Sequence, residues 1–325
     1  MTQMKKKRNV LFVTRDDTYY TVPASYYFIR ELSQLVNLKV THESGSLEQI
    51  IEHSQFEPDF VYLHDFLENK SPFVTGLKSV NIPFAVGLHD LHYYGMERKR
   101  LLIQEDVKHI FTYYRAKFLE WYSELADRMR WLPHHANTDV YQDYKQEKEI
   151  DLLMSGAMFE QYYPFRNLLF NRLKDRSNFV YLSHPGYRSI DQNEPDVYVG
   201  EKYARQLNRA KICLTCHSIY RYPLMKYFEI TACNSLLLAP YTEELADLGF
   251  IPGVHFVSID ENNFEEKAAY YLKHEHERQR ISLNGMRLVH EQHSTKKRAV
   301  EFVAHMEDIL KESQLTKSSF VKTHS

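Results

Sequence analysis

Glycine is scarce, with 10 residues in 325. None of them falls into G-x-G-x-x-G or into a Walker A loop, which excludes the two common glycine-rich phosphate cradles. A nucleotide, if one is bound, has to be held by side chains and helix ends instead. Cysteine is scarcer still, at three, so there is no disulfide framework and the chain suits a reducing cytoplasm. Cys213 and Cys216 form a C-x-x-C, but no second pair completes a zinc site. The apolar run 212–216 around them reads as a strand whose side chains alternate between faces, so buried core thiols are the simpler reading and no metal is expected. No apolar stretch approaches the roughly 20 residues of a membrane span. The formal charge of -2 gives no polyanion-binding signal. Nucleic acid is therefore not expected as a partner. The basic run Lys5 to Arg8 reads as a solvated N-terminus with at most a peripheral membrane contact.

What is present is ordinary for a globular protein: 43% hydrophobic and 26% charged residues. At about 150 residues per domain the length suggests two domains. Short apolar runs alternate with helical patterns: Val10 to Thr14, Ala24 to Leu35, Leu38 to Thr41, Leu47 to His53, Phe60 to Leu63, Phe84 to Leu88, Ile110 to Tyr113 and Trp131 to Leu132. Such alternation predicts a parallel sheet wrapped by helices. The polar interval Gln142 to Glu149 interrupts it and reads as a linker. The alternation restarts with Ile150 to Met154, a helix around Phe165 to Leu173, Phe179 to Leu182, a helix around Glu201 to Ala210, Ile212 to Thr215 and, further on, His255 to Ile259. From Asn263 the pattern is helical, with a frayed end from about Thr316. The domains expected are 1–145 and 146–300, with 301–325 as a closing helix and tail.

Tyrosine is abundant, with 24 copies, many in doublets such as Tyr19-Tyr20, Tyr113-Tyr114 and Tyr162-Tyr163. Several follow predicted strands, where an aromatic face with a hydroxyl tip suits a sugar or a base, although most tyrosines serve packing. The most informative stretch is Lys226 to Asn234, a short helix leading into the apolar run Ser235 to Ala239. Lys226 and Glu229 lie three apart on one face near its N-terminus. There the amides and the lysine favour a phosphate, and a carboxylate can accept two bonds from a ribose diol. An intrahelical ion pair is the competing reading.

The segments Ile150 to Gly156, Tyr163 to Arg166, Lys226 to Ile230 with Ala232-Cys233, Leu236 to Ala239 and Glu243 to Leu245 together resemble the CgeB-like, group-1-type glycosyltransferases of the GT-B fold. The tail, with Phe264 to Leu272, Glu277 to Ile281, Asn284-Gly285 and His290 to His293, is similar to that group's ending. In the first half, Ile82 to Asp90 resembles the strand ending in His-Asp on their acceptor-side domain, and Trp131 to Asn137 the approach to their interdomain linker. There are departures. Asn234 stands where many relatives have glycine, and Lys226 where they have arginine. The first glutamate of the commoner two-glutamate pattern would fall at Arg221.

The resemblance implies an α/β GT-B fold: two Rossmann-like domains whose parallel sheets face a cleft, the first acceptor-side and the second binding the nucleotide sugar, with a C-terminal helix returning to the first. It implies Glu229 on the ribose hydroxyls, Lys226 and Arg166 on the diphosphate, and Gly156, His184 and the amides near Thr242 and Glu243 beside the donor. Arg166 reads equally as a surface arginine. His89 would face the donor sugar, with Asp90 as base or orienter, against the alternative of a buried histidine bonded to backbone. Asp16, after the first strand, and Tyr19 are candidates for the acceptor side, against the alternative of a solvated loop. The activity implied is metal-independent hexosyl transfer from a UDP- or GDP-sugar to a small molecule, glycan or protein, leaning toward retention, with oriented cations stabilising the leaving diphosphate. A non-catalytic structural or coat-associated protein of this fold, or a nucleotide-sugar epimerase, would carry many of the same residues.

Overall fold

The structure, a computed structural model, describes residues 6–65, 71–191 and 193–322, with side chains described to residue 315. The basic run thus begins outside the described residues. Among the described residues, thirteen strands and eleven α-helices follow in chain order: β1 (Asn9–Val13), α1 (Ala24–Leu35), β2 (Asn37–Thr41), β3 (Gly45–Ser46), α2 (Leu47–Ser54), β4 (Phe60–Leu63), β5 (Val74–Thr75), β6 (Phe84–Leu88), α3 (Gly95–Gln104), β7 (Ile110–Thr112), α4 (Arg115–Trp121) and β8 (Met129–Trp131). The second half holds β9 (Ile150–Ser155), α5 (Pro164–Leu173), β10 (Phe179–Leu182), α6 (Gly200–Arg209), β11 (Ala210–Leu214), α7 (Met225–Ala232), β12 (Leu236–Ala239), α8 (Glu243–Asp247), β13 (Val257–Ser258), α9 (Phe264–Lys273), α10 (Glu275–Gln292) and α11 (Thr295–Lys322). These elements form two compact units. The first comprises Met1–Asp16, Phe28–Pro133 and Arg298–Ser325, and the second Asp17–Tyr27 and His134–Lys297.

In the first unit a parallel sheet runs in the order β2-β1-β4-β6-β7-β8. Strand β4 and, after Asn9, strand β1 are continuous apolar runs, as suits strands covered on both faces. The sheet winds outward from β1 through β2 and then resumes on β1's other side with β4. The ends of β1 and β4 therefore flank a topological switch point, where open α/β sheets hold ligands. The core includes Val10, Phe12, Phe28, Leu32, Phe60, Tyr62 and Phe111, and it is completed from the far end of the chain by Ala299, Phe302, Met306 and Ile309 of α11. These four recur at spacings of three and four, one apolar stripe of a helix. The Phe302 ring lies 4.9 Å from Tyr62, 5.2 Å from Phe111 and 5.6 Å from Phe28, centroid to centroid. Truncating so central a phenylalanine typically costs about 3–5 kcal/mol. The C-terminal helix thus returns to the first unit as expected. It stays helical to Lys322, past the Thr316 where fraying was expected, and 323–325 lie outside the described residues.

In the second unit a parallel sheet runs β10-β9-β11-β12-β13. Its core joins Leu152 and Met154 of β9, Leu169 and Leu173 of α5, Ile212 and Leu214 of β11, Leu236 and Leu238 of β12, Phe264 of α9 and Ile281 of α10. Here the switch point lies between β9 and β11. Strand β11 stops at Leu214, so Cys216, expected inside the strand, lies in the loop beyond it. All three cysteines are buried thiols, and burial pushes Cys213 up to about 12. Asn234, after α7, adopts φ 53°. That left-handed backbone suits glycine and is tolerated by asparagine, so the departure at this position keeps the turn.

Candidate functional site

Gly156 follows β9 at the second unit's switch point with φ +119°, and a Cβ there would sit 2.9 Å from Arg166 Nη1 and 2.9 Å from Lys226 Cε. The missing side chain is what lets two cations converge on the strand end. Arg166 is not a surface arginine. It is 2% exposed although it stands in the first turn of α5. Its Nη1 donates to the Ala157 carbonyl at 2.7 Å and its guanidinium lies 4.2 Å above the Tyr163 ring, while Nε is buried with no partner among the described residues. A buried donor left unsatisfied carries a desolvation cost that a bound water or ligand would relieve.

Lys226 is the second residue of α7, a helix with no side-chain cap on its N-terminus. Its Nζ reaches the Tyr203 hydroxyl at 3.4 Å and lies 4.8 Å from that ring's centroid. Burial lowers its pKa and Arg166 lowers it further, whereas Glu229 pulls it back up. Glu229 is 8% exposed. Burial raises its pKa, opposed by the charge of Lys226 and by a hydrogen bond from Tyr141. Lys226 and Glu229 feel each other's charge but do not close an ion pair among the described residues, so the intrahelical pair is not what holds them. Tyr141 and Tyr203 stand edge to face at 6.3 Å and box the carboxylate, and Tyr203 also meets Ser155 Oγ at 2.7 Å.

His184, two residues past β10, is held at about 4, first by burial and then by the positive charges of Lys226 and Arg166. It is neutral near pH 7, and its Nδ1 accepts from the Gly186 amide at 3.1 Å, which leaves the proton on Nε2. Thr242 is buried and caps α8, accepting from the Leu245 amide at 3.3 Å. Glu243 is exposed in the first turn of that helix. The loop carrying both is tied to α7, because the Tyr227 hydroxyl donates to the Pro240 carbonyl at 2.9 Å.

The first unit holds a second constellation. His89 and Asp90 follow β6, and His64 and Asp65 follow β4. His89 Nδ1 lies 3.6 Å from the Asp65 carboxylate, and its ring stacks on Tyr113 at 4.6 Å with His64 edge-on at 4.4 Å. An acidic neighbour thus stands beside the His89 ring. Asp65 is in turn bound by the fully buried Arg98 of α3, whose Nη1 donates to the Asp90 carbonyl at 2.8 Å. Burial and the neighbouring His89 push His64 well below the usual histidine range. Gly87 permits the approach of the two strand ends, since a Cβ on it would fall 2.3 Å from the His64 carbonyl oxygen. Asp16 and Tyr19 are both exposed and fall in different units.

The structure therefore brings Gly156, Arg166, Lys226, Glu229 and His184 together in the second unit and places His89 and Asp90 in the first. Sequence reasoning missed Asp65, Arg98, Tyr141 and Tyr203. The repeat of Leu63-His64-Asp65 in Leu88-His89-Asp90 was a visible signal for Asp65. Nothing marked two tyrosines among 24.

Comparison with known proteins bears on the same residues. Residues 166–304 match the family described as glycosyl transferase-like. No curated protein matches the chain in sequence. Among solved structures, the sucrose-phosphate synthase of Thermosynechococcus elongatus is similar with a TM-score of 0.67 at 10% identity, over 94% of this chain and 100% of that one. Anabaena HepE in complex with UDP and glucose follows with a TM-score of 0.60 at 10% identity, over 93% and 100%. An α-glucosyltransferase in complex with UDP and a 13-mer DNA containing an HMU base gives 0.57 at 12% identity, over 94% and 100%. The fold is GT-B. In this GT-B chain the family match begins at Arg166 and takes in His184, Lys226, Glu229, Thr242 and Glu243, whereas Gly156 and the constellation of the first unit lie outside it.

Proposed function

We propose that the protein is a glycosyltransferase of the CgeB-like, group-1 kind, moving a hexose from a nucleotide sugar, a UDP- or GDP-sugar, to an acceptor hydroxyl. The observation that carries this reading is the convergence of Gly156, Arg166 and Lys226 at the switch point of the second sheet, with Glu229 and His184 beside them. Two partly desolvated cations and the N-terminus of α7 suit a diphosphate, and charge aimed at a leaving group is worth most where water is excluded. Glu229, boxed by tyrosines, accepts the ribose hydroxyls. The neutral His184 donates from Nε2 to a phosphate oxygen. On this reading the cations serve the leaving group without a metal. His89, with the Asp65 carboxylate beside it, is the catalytic candidate of the first unit, the role the resemblance implies in a transfer through an oxocarbenium-like transition state. Retention follows the resemblance, and cytoplasmic residence follows the three unpaired cysteines. UDP in the HepE and α-glucosyltransferase complexes supports a uridine donor, and the DNA of the latter adds nucleic acid to the small molecules, glycans and proteins worth testing as acceptors.

The test is thermal shift and calorimetric titration with UDP-, GDP-, ADP- and dTDP-sugars, since a ligand of the native state raises its stability. One family of donors should stabilise the protein and be hydrolysed slowly without acceptor. Glu229→Ala should abolish that shift while the circular dichroism spectrum is retained. No shift with any donor would refute the proposal. Binding without hydrolysis or transfer would favour a non-catalytic role, for which the exposed, left-handed Arg221 at the missing glutamate position speaks.

A further inference from the structure

His184 sits on a loop that the second unit's own sheet does not support. Among the described residues strand β10 is an edge strand, paired in its sheet with β9 alone, and the loop after it passes through Pro185 and the left-handed Gly186. What flanks this loop is the segment Asp17–Tyr27, which follows β1 in the chain yet belongs to the second unit. The contact is a short antiparallel ladder. Tyr20 bridges Ser189. The Thr21 amide donates to the Arg188 carbonyl at 3.0 Å, and the Ile190 amide to the Tyr19 carbonyl at 2.7 Å. Thr21 is 7% exposed, and its hydroxyl lies 2.6 Å from the Gly186 carbonyl and 2.9 Å from that of Arg188, while accepting from the Arg188 amide at 3.2 Å.

We propose that Thr21 is a positioning residue for donor binding: its hydroxyl ties down residues 186–188 and so holds His184 against Arg166 and Lys226. The clip acts two residues from the histidine, at the same Gly186 whose amide fixes the imidazole tautomer. A valine is isosteric with threonine but can neither donate to the Gly186 or Arg188 carbonyl nor accept from the Arg188 amide, so the loop loses this side-chain tether while the backbone ladder remains. The segment reaches the other end of the site as well. The Tyr27 hydroxyl lies against Gly200 at the start of α6, and Tyr27 acts electrostatically on Tyr141, the hydrogen-bond donor to Glu229. One strap therefore abuts both the phosphate side and the ribose side of the site.

This inference rests on the donor reading above, and its test keeps the two separable. Thr21→Val and the smaller Thr21→Ala should weaken UDP binding about tenfold by calorimetry, the order expected when one hydrogen bond to a charged group is lost. Both should also move the His184 ring ¹⁵N shifts in the ligand-free protein. Thr21→Ser should restore both. In a His184→Ala background, Thr21→Val should add nothing, because residues acting through one another are not additive. Additive losses in the double variant, or unmoved ring shifts in Thr21→Val, would overturn the inference. If wild-type protein takes up no UDP, the uridine donor fails, and the ring shifts alone decide the role of Thr21.

Discussion

Replacing Gly156 by alanine probes the site with one methyl group. The new Cβ would stand 2.9 Å from Arg166 Nη1, 2.9 Å from Lys226 Cε and 3.0 Å from Arg166 Cζ, on a backbone at φ +119°. Nonbonded heavy atoms rest at about 3.5–4.0 Å, so both cations must retreat by roughly 0.5–1 Å. Arg166 has little freedom to do so, being buried and bonded to the Ala157 carbonyl. The backbone strain, about 1–3 kcal/mol, is present with and without ligand and lowers stability alone. The displacement acts on binding: a hydrogen bond to a charged group contributes about 1.5–3 kcal/mol, which at about 1.4 kcal/mol per decade is roughly 10- to 100-fold in Kd. Calorimetric titration with UDP, run beside differential scanning calorimetry, separates the two effects. The variant should melt a few degrees lower and bind at least about tenfold more weakly. Binding within about twofold of wild type at an unchanged Tm would mean that these cations do not carry the ligand.

Two further outcomes follow from the charges. Asp65→Asn removes the counter-charge of the buried Arg98, a change that costs about 3–5 kcal/mol where an ion is left uncompensated, and it should lower the Tm and reduce kcat more than it raises KM; an unaltered melt and turnover would show that the Asp65–Arg98 pair neither supports the fold nor orients His89. His184 titrates at about 4 when folded and near 6.5 when unfolded, so between those values the unfolded chain binds the extra proton and stability falls as the pH is lowered; His184→Ala should flatten the Tm profile across that window, and an unchanged slope would refute the assignment.

Much of the fold was legible because periodicity and apolar runs report burial directly. Helix α1 and strands β4, β6 and β10 occupy the ranges that the pattern predicted, and α11 shows its apolar stripe in sequence. The strap 17–27 was not legible. Its pairing with residues 188–190 runs through backbone groups and the Thr21 hydroxyl, which leave no hydrophobic period to read. The charged part of the site was legible for a different reason: Lys226 and Glu229 flag themselves by helical spacing, whereas Gly156 entered only through the resemblance. The burial of Arg166 was not, since an arginine in a first helical turn usually faces water. Asp65 becomes a partner of His89 only because β4 and β6 are neighbours in the sheet.

The return of α11 sets an order on synthesis. Phe12, Phe60 and Phe111 leave the ribosome long before Phe302, the ring that packs between their elements. Domains generally fold as their chain becomes complete, N-terminal ones first. Here that sequence is inverted: every residue assigned to the second unit has been made by Lys297, whereas the first unit, though translated earliest, stays without part of its interior until the closing helix emerges. A nascent chain of this protein therefore carries a sheet face without its closing helix until residues 299–309 have emerged.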